Sequence, residues 1–184
     1  MKIVLGIVTC LMQASVVFAA PSASTSLQAK ASGGTVIFNG VAVGMKLQGK
    51  GEGPEGTIEV GKNIQGVLKF KMETLDTGIG LRNQHMKEKY LEVAKHPYSE
   101  LKVEEVQGFD LAKPDGKYPF KGQITVHSVA KPVMGNVEVK KDGNIYKVKA
   151  TFDTKISYFN MPIPAYAGVT VKDDVSVVVE TQLQ

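Results

Sequence analysis

The sequence predicts an all-β domain, with about eight short antiparallel strands in a sandwich or barrel and one short helix. Three observations predict it. From Thr35 onward apolar residues recur at every second position opposite a lysine-rich set, as antiparallel sheet with one wet face requires. Turn chemistry separates these segments, most clearly at Lys141-Asp142-Gly143-Asn144. One stretch, 82–95, lacks Gly and Pro and follows the helical period instead.

In chain order, Lys2 precedes a mostly apolar run, Ile3 to Val17, and Ala19 and Ala20 supply small cleavage residues. Residues 1–19 therefore read as a secretory signal peptide. The run is short for a membrane anchor and its exit side is not basic. Cys10, the sole cysteine, lies inside the run. Thr9 before it makes a poor lipoprotein site, and the processed chain would hold no disulfide. Residues 20–34, rich in Ser, Ala and Gly, are expected to be a flexible leader. The folded domain is expected over 35–184. No later apolar run spans a bilayer, so the mature protein is expected to be exported and soluble, periplasmic in a diderm host or secreted.

The strands follow from alternation. Val36, Phe38, Gly40 and Ala42 share one face, as do Met45, Leu47 and Gly49, and then Leu68, Phe70 and Met72. Phe120, Gly122, Ile124 and Val126 form the next such set, followed by Val133 to Val139 and by Tyr146 to Ile156. Val175, Val177 and Val179 close the chain. Glycines inside these strands suit the bends that close a sheet. In the helical stretch Asn83 is a plausible N-cap, Met86, Tyr90, Val93 and Ala94 share a face, and Pro97 ends the helix. The helix lies across a barrel opening or packs on the outside.

Composition excludes several functions. The chain has 184 residues and a net charge of +4, with Arg82 its only arginine. Base edges and phosphates are read mostly by arginine, so no nucleic-acid partner is expected. His85, His96 and His127 have no metal-ligand spacing, and no metal is expected. His127 alternates with the apolar face of its strand and is expected to face solvent. Glu104-Glu105 and Asp173-Asp174 are neighbours on strands, which point apart and make no acid/base dyad. The aspartates are expected to act as charged gatekeepers before Val175. No nucleophile constellation stands out, and the protein is not expected to be an enzyme. Arg82 sits between a Gly-rich turn and the helix. It is suited either to clamping an anionic head group or to an ion pair with Asp76. His85, beside it, either donates to a loop carbonyl or joins it at a head group.

Four separated segments resemble the YceI-like family in their order. They are Leu75-Asp76-Thr77-Gly78 with Leu81-Arg82-Asn83-Gln84-His85-Met86 and Tyr90 to Tyr98, Phe120 to Val133, Phe152 to Pro162, and Ala165 to Val175. Asn83 stands where that family usually carries Asp, and Ser128 and Tyr158 where Gly and Asp are common. The resemblance implies a lipocalin-like antiparallel β-barrel of about eight strands with one short helix near a barrel end. It further implies a lumen for a polyisoprenoid chain, such as an isoprenoid quinone or a polyprenyl phosphate, and no cofactor beyond that lipid. On this reading Leu68, Phe70, Met72, Phe120, Ile124, Val126, Phe152 and Ile156 line the lumen. Met86 and Tyr90 close its mouth, and Arg82 and His85 face the head group. Loading would involve transient membrane contact. The alternative is a ligand-free structural or interaction barrel of the cell envelope.

Overall fold

The computed structural model describes residues 24–42, 44–166 and 169–184. The expected signal peptide lies outside the described residues. The chain forms β1 (Thr25–Ala29), β2 (Thr35–Ala42), β3 (Met45–Glu52), β4 (Glu55–Val60) and β5 (Ile64–Lys71). Helix α1 (Gly80–His85) follows and continues as a π-helical turn, Met86–Tyr90. Then come β6 (Tyr98–Val106), β7 (Gly116–Val126), β8 (Val129–Asp142) and β9 (Ile145–Lys155). A small hairpin, β10 (Ala165–Tyr166) with β11 (Val169–Thr170), precedes β12 (Asp174–Leu183).

The strands run antiparallel in the order β1-β4-β5-β6-β7-β8-β9-β12, and β12 returns to β1 at Leu183–Ala29. This is a closed eight-stranded barrel. Farther along, β12 leaves β1 and pairs with β2 from Glu180 to Ser176, and β2 pairs with β3. β1 with β2, and β3 with β4, are thus two long strands broken at one corner. Close backbone approach explains the glycines there. A Cβ on Gly34 would stand 2.0 Å from the Glu180 carbonyl oxygen, and one on Gly53 2.6 Å from Gly34 Cα.

β1 corrects the expectation of a flexible leader over 20–34. Thr25–Ala29 pairs with β4 along its length and buries Leu27 and Ala29. Two inward residues among Ser, Thr and Gln are too short a pattern for periodicity to register.

Inward residues of β5, β7, β8, β9 and β12 make one continuous core. Each large aliphatic or aromatic side chain buried there contributes about 1.5–3 kcal/mol of gross transfer free energy. The outward faces carry cross-strand pairs such as Lys69–Glu100 at 2.8 Å and Lys149–Glu180 at 3.1 Å. These exposed pairs contribute little stability, but they make the outside polar. Apolar within and charged without is the inverse of a barrel that spans a membrane. Among the described residues no helix is long and apolar enough to cross one.

The helical segment starts earlier and ends sooner than the expected 82–95. Ile79 occupies the N-cap position without a side-chain cap, and Asn83 lies within α1. Asn83 is drawn instead to the preceding turn, where its Oδ1 accepts from Thr77 N at 2.8 Å and its Nδ2 donates to Asp76 Oδ1 at 2.6 Å. The segment ends because Glu92 takes a positive φ of 43°, where a helix cannot continue.

Candidate functional site: an apolar lumen and a capped end

The two ends of the barrel differ. At one end lie the β4–β5 turn, the β6–β7 loop and the β8–β9 hairpin. The interior of this half holds a cavity of about 80 Å³, lined by Leu68, Phe120, Val137, Val148 and their neighbours. Its lining is aliphatic and aromatic except for two hydroxyls, the Tyr146 phenol and Thr181 Oγ1. Thr181 is only 4% exposed and its hydroxyl has no hydrogen-bond partner. Such a group costs about 1–3 kcal/mol when left unpaired.

Midway along the barrel, Phe120 and Phe152 meet edge to face with centroids 6.1 Å apart. Phe120 lines the cavity and Phe152 does not. Gly135 makes room for the pair, since a Cβ there would lie 2.8 Å from Phe120 Cε1 and 2.9 Å from Phe152 Cβ.

The opposite end is capped. Met72, Leu75 and Val93 form a second buried cluster, with Phe38, Phe70, Met86, Leu91 and Val126 packed against it. A polar frame holds the cap in place. Asp76 exchanges backbone hydrogen bonds with Lys50 of β3, both 2.8 Å. Asp76 Oδ1 accepts from Gly78 N at 2.7 Å. Asn83, then Gly78, hold the Asp76 carboxyl below its ordinary pKa. Arg82 Nε donates to Thr77 Oγ1 at 2.8 Å and its Nη2 to the Thr77 carbonyl. Arg82 is therefore tied to Thr77 at the cap. The expected Asp76 partnership belongs to Asn83 instead.

The expected lining residues thus divide. Leu68 and Phe120 line the cavity, while Ile124 and Phe152 belong to the same buried core beyond it. Phe70 and Val126 bridge the core and the cap cluster, and Met72 and Met86 belong to the cap. Ile156 opens a 3-10 turn, Ile156–Phe159, and lies in neither cluster. His85 and Tyr90 are half-buried on the helical segment, away from the cavity. Asp173, expected as a gatekeeper, is a fastener in the structure. Its carboxylate accepts from Ser157 N at 2.8 Å and Ser157 Oγ at 2.7 Å, which holds its pKa down.

His127 corrects the expectation of a solvent-facing residue. It falls in the β7–β8 turn at φ 51° with its side chain 16% exposed, and its Nε2 lies 2.9 Å from Glu92 Oε2. The strand alternation stops one residue before it, at Val126, so facing can no longer be counted from the strand.

Residues 22–183 match the YceI-like domain. The chain belongs to the YceI-like family. Solved structures share this YceI-like fold at low sequence identity. A Saccharophagus degradans polyisoprenoid binding domain, implicated in plant cell wall breakdown, is 14% identical with a TM-score of 0.68, covering 86% of this chain and 97% of its own. Burkholderia cenocepacia BcnA is 14% identical with a TM-score of 0.67, covering 82% and 96%. The Campylobacter jejuni YCEI protein is 15% identical with a TM-score of 0.55, covering 73% and 82%. A search of curated protein sequences finds no match.

Sequence reasoning missed part of this YceI-like lumen. Leu27, Ile58, Val60 and Leu101 line it from strands whose alternation is short or mixed. Thr181 and Leu183 extend the inward register of Val175, Val177 and Val179, so counting on by two past Val179 reaches them.

Proposed function

We propose that this YceI-like protein is a non-catalytic carrier that takes the isoprenoid chain of a lipid into its barrel, and that it acts after export, in the periplasm or outside the cell. The observation that carries the reading is the lumen lining: a closed barrel with an almost wholly apolar interior. A structural neighbour described as a polyisoprenoid binding domain supports the ligand class. Each methylene moved from water into such a lining contributes about 0.8 kcal/mol, so a few isoprene units provide micromolar binding after ordering costs of several kcal/mol.

The chain enters from the end opposite the cap. That end carries Phe109 and Tyr146, whose side chains turn about two torsions. Its polar contacts, such as Lys141 N to Asp115 Oδ1, join neighbouring strands at the rim, whereas the frame around Asp76 ties the helical cap to β3. Entry requires expansion. A cavity of about 80 Å³ is roughly half of one that admits benzene, and small-molecule pockets run to about 300–1,000 Å³. The head group stays at the mouth, or a carbonyl of a quinone ring accepts from Thr181 Oγ1. Arg82, engaged with Thr77 at the far end, plays no part in head-group binding on this reading.

The contracted lumen favours a second reading, a ligand-free structural or interaction barrel filled by its own side chains. One experiment separates the two. Protein purified from its natural host is extracted with organic solvent and the extract analysed by mass spectrometry. A prenyl lipid at near-stoichiometric amount is expected. An extract without lipid, together with no uptake of a fluorescent prenyl probe, selects the second reading.

A further inference from the structure

Two turns meet beside the cap. Glu92 and His96 lie between the π-helical turn and β6, while His127 and Ser128 make the tight turn between β7 and β8. Glu92 and His127 are 35 positions apart, so sequence spacing gives no metal motif. The fold brings them together. The His96 and His127 rings lie 4.1 Å apart, centroid to centroid, tilted by 54°. One donor atom from each of Glu92, His96 and His127 lies within 4.8 Å of the others.

We propose that Glu92, His96 and His127 form a binding site for one divalent transition-metal ion of the zinc class, which clasps the helical cap to the β7–β8 turn. Two imidazoles and a carboxylate suit zinc and its neighbours, whereas calcium and magnesium select oxygen ligands. A tetrahedral ion with bonds of about 2.0–2.1 Å holds its ligand atoms about 3.3 Å apart. The Glu92–His127 pair, at 2.9 Å, opens by a few tenths of an ångström to receive it. The third donor closes by a side-chain rotation. His127 coordinates through Nε2 as the neutral ring, so a hydrogen on that nitrogen moves to Nδ1 or to solvent.

The surroundings fit this role. His96 Nδ1 lies 2.8 Å from Ser128 Oγ. That hydroxyl can accept the Nδ1–H of the tautomer that leaves Nε2 a bare lone pair, as supporting groups do around metal-bound histidines. Lys95 Nζ now holds the other Glu92 oxygen, but its side chain is 69% exposed and free to swing into water. All three ligands are half-buried, so the ion has a path in and the site is partly shielded from water. Three protein ligands leave a fourth position for water.

The test is calorimetric titration of the untagged protein with zinc chloride, with cobalt(II) absorption as the geometric readout. One zinc per chain at micromolar affinity or tighter is expected, with the visible bands of four-coordinate cobalt. Magnesium should give no heat. His96→Gln and Glu92→Gln should each weaken zinc at least tenfold. So should His127→Asn, chosen because Asn tolerates the positive φ at that turn. Zinc should raise the melting temperature of the parent protein and not of the variants, while unchanged circular dichroism shows that the variants remain folded. The proposal fails if zinc gives no heat at concentrations up to about 1 mM. It also fails if the folded variants all keep the parent affinity.

Discussion

The two halves of the barrel bury apolar side chains under different constraints. At the capped end, Met72, Leu75 and Val93 sit under a polypeptide held by directional bonds: Asp76 to Lys50, Asn83 to Thr77, Arg82 to Thr77. In the cavity half the inward side chains meet by packing, and the one deeply buried hydroxyl, on Thr181, has no partner. The directional side-chain bonds of that end, Tyr118 to Lys113 and Pro114 and Lys141 to Asp115, secure the β6–β7 loop. Hydrogen bonds fix geometry, whereas apolar contacts tolerate rearrangement provided volume is filled. The capped end is therefore the fixed wall, and on the proposed function the lining of the other half is what changes volume around a guest.

The strongest way to break this contrast is to remove the partition. Phe152→Ala deletes one member of the aromatic pair between the halves. Truncating a buried phenylalanine costs about 3–5 kcal/mol, and a loss of that size is expected in urea unfolding. A loss below about 1 kcal/mol would show that the pair packs loosely and divides nothing.

The cap gives the next largest effect. Arg82→Lys keeps the charge but loses the fork that spans the Thr77 hydroxyl and carbonyl. A cost of about 1–2 kcal/mol is expected from the two hydrogen bonds. The recovery of prenyl lipid from the purified variant should be unchanged. A selective loss of anionic polyprenyl phosphate would return Arg82 to a head-group role and end its assignment to the fixed wall.

How far the sequence shows this contrast follows from what alternation can carry. The inner faces of β5, β7 and β9 are legible because Leu68, Phe120 and Phe152 sit in long period-two runs. β1 is not, because only Leu27 and Ala29 mark it. Thr181 breaks no period, but a hydroxyl does not announce burial. The cap is less legible, because its bonds join Asp76, Thr77 and Asn83 through loop geometry that no periodicity encodes. The meeting of Glu92 with His127 depends on the topology of the whole barrel and not on local spacing. The family resemblance of the Arg82 segment implies the barrel, whereas the partners of Arg82 itself are set by the fold.

In the cavity half, Thr181→Val tests the unpaired hydroxyl. Valine has nearly the same shape and nothing to satisfy, so a gain of about 1 kcal/mol is expected in the lipid-free protein. If a quinone carbonyl uses this hydroxyl, the same substitution weakens a short-chain quinone severalfold while leaving a prenyl hydrocarbon unaffected. Equal effects on both ligands would place the polar group outside the lumen. A stability loss in the lipid-free protein would show that Thr181 has a partner after all, such as an internal water, and that this half is less purely apolar than its lining indicates.

Acid gives the smallest effect and should act chiefly on the capped end. Asp76 is held below its ordinary pKa chiefly by Asn83, and Asp173 chiefly by Ser157, both at the capped end. A carboxyl whose pKa is lowered by folding contributes stability that is fully present above its unfolded pKa of about 3.9. That contribution is lost as pH falls through the lower folded value. At the other end Lys147 holds Asp142 down on the β8–β9 hairpin, but that pair is exposed and screened by solvent, and the cavity lining contains no carboxylate. Melting temperatures measured between about pH 5 and pH 2 should therefore fall more steeply for the parent than for a variant carrying Asp76→Asn and Asp173→Asn. That variant starts lower and has less left to lose. Parallel curves would mean that acid unfolds the barrel through its exposed Lys–Glu pairs, and that the polar frame of the cap is not what sets the two ends apart.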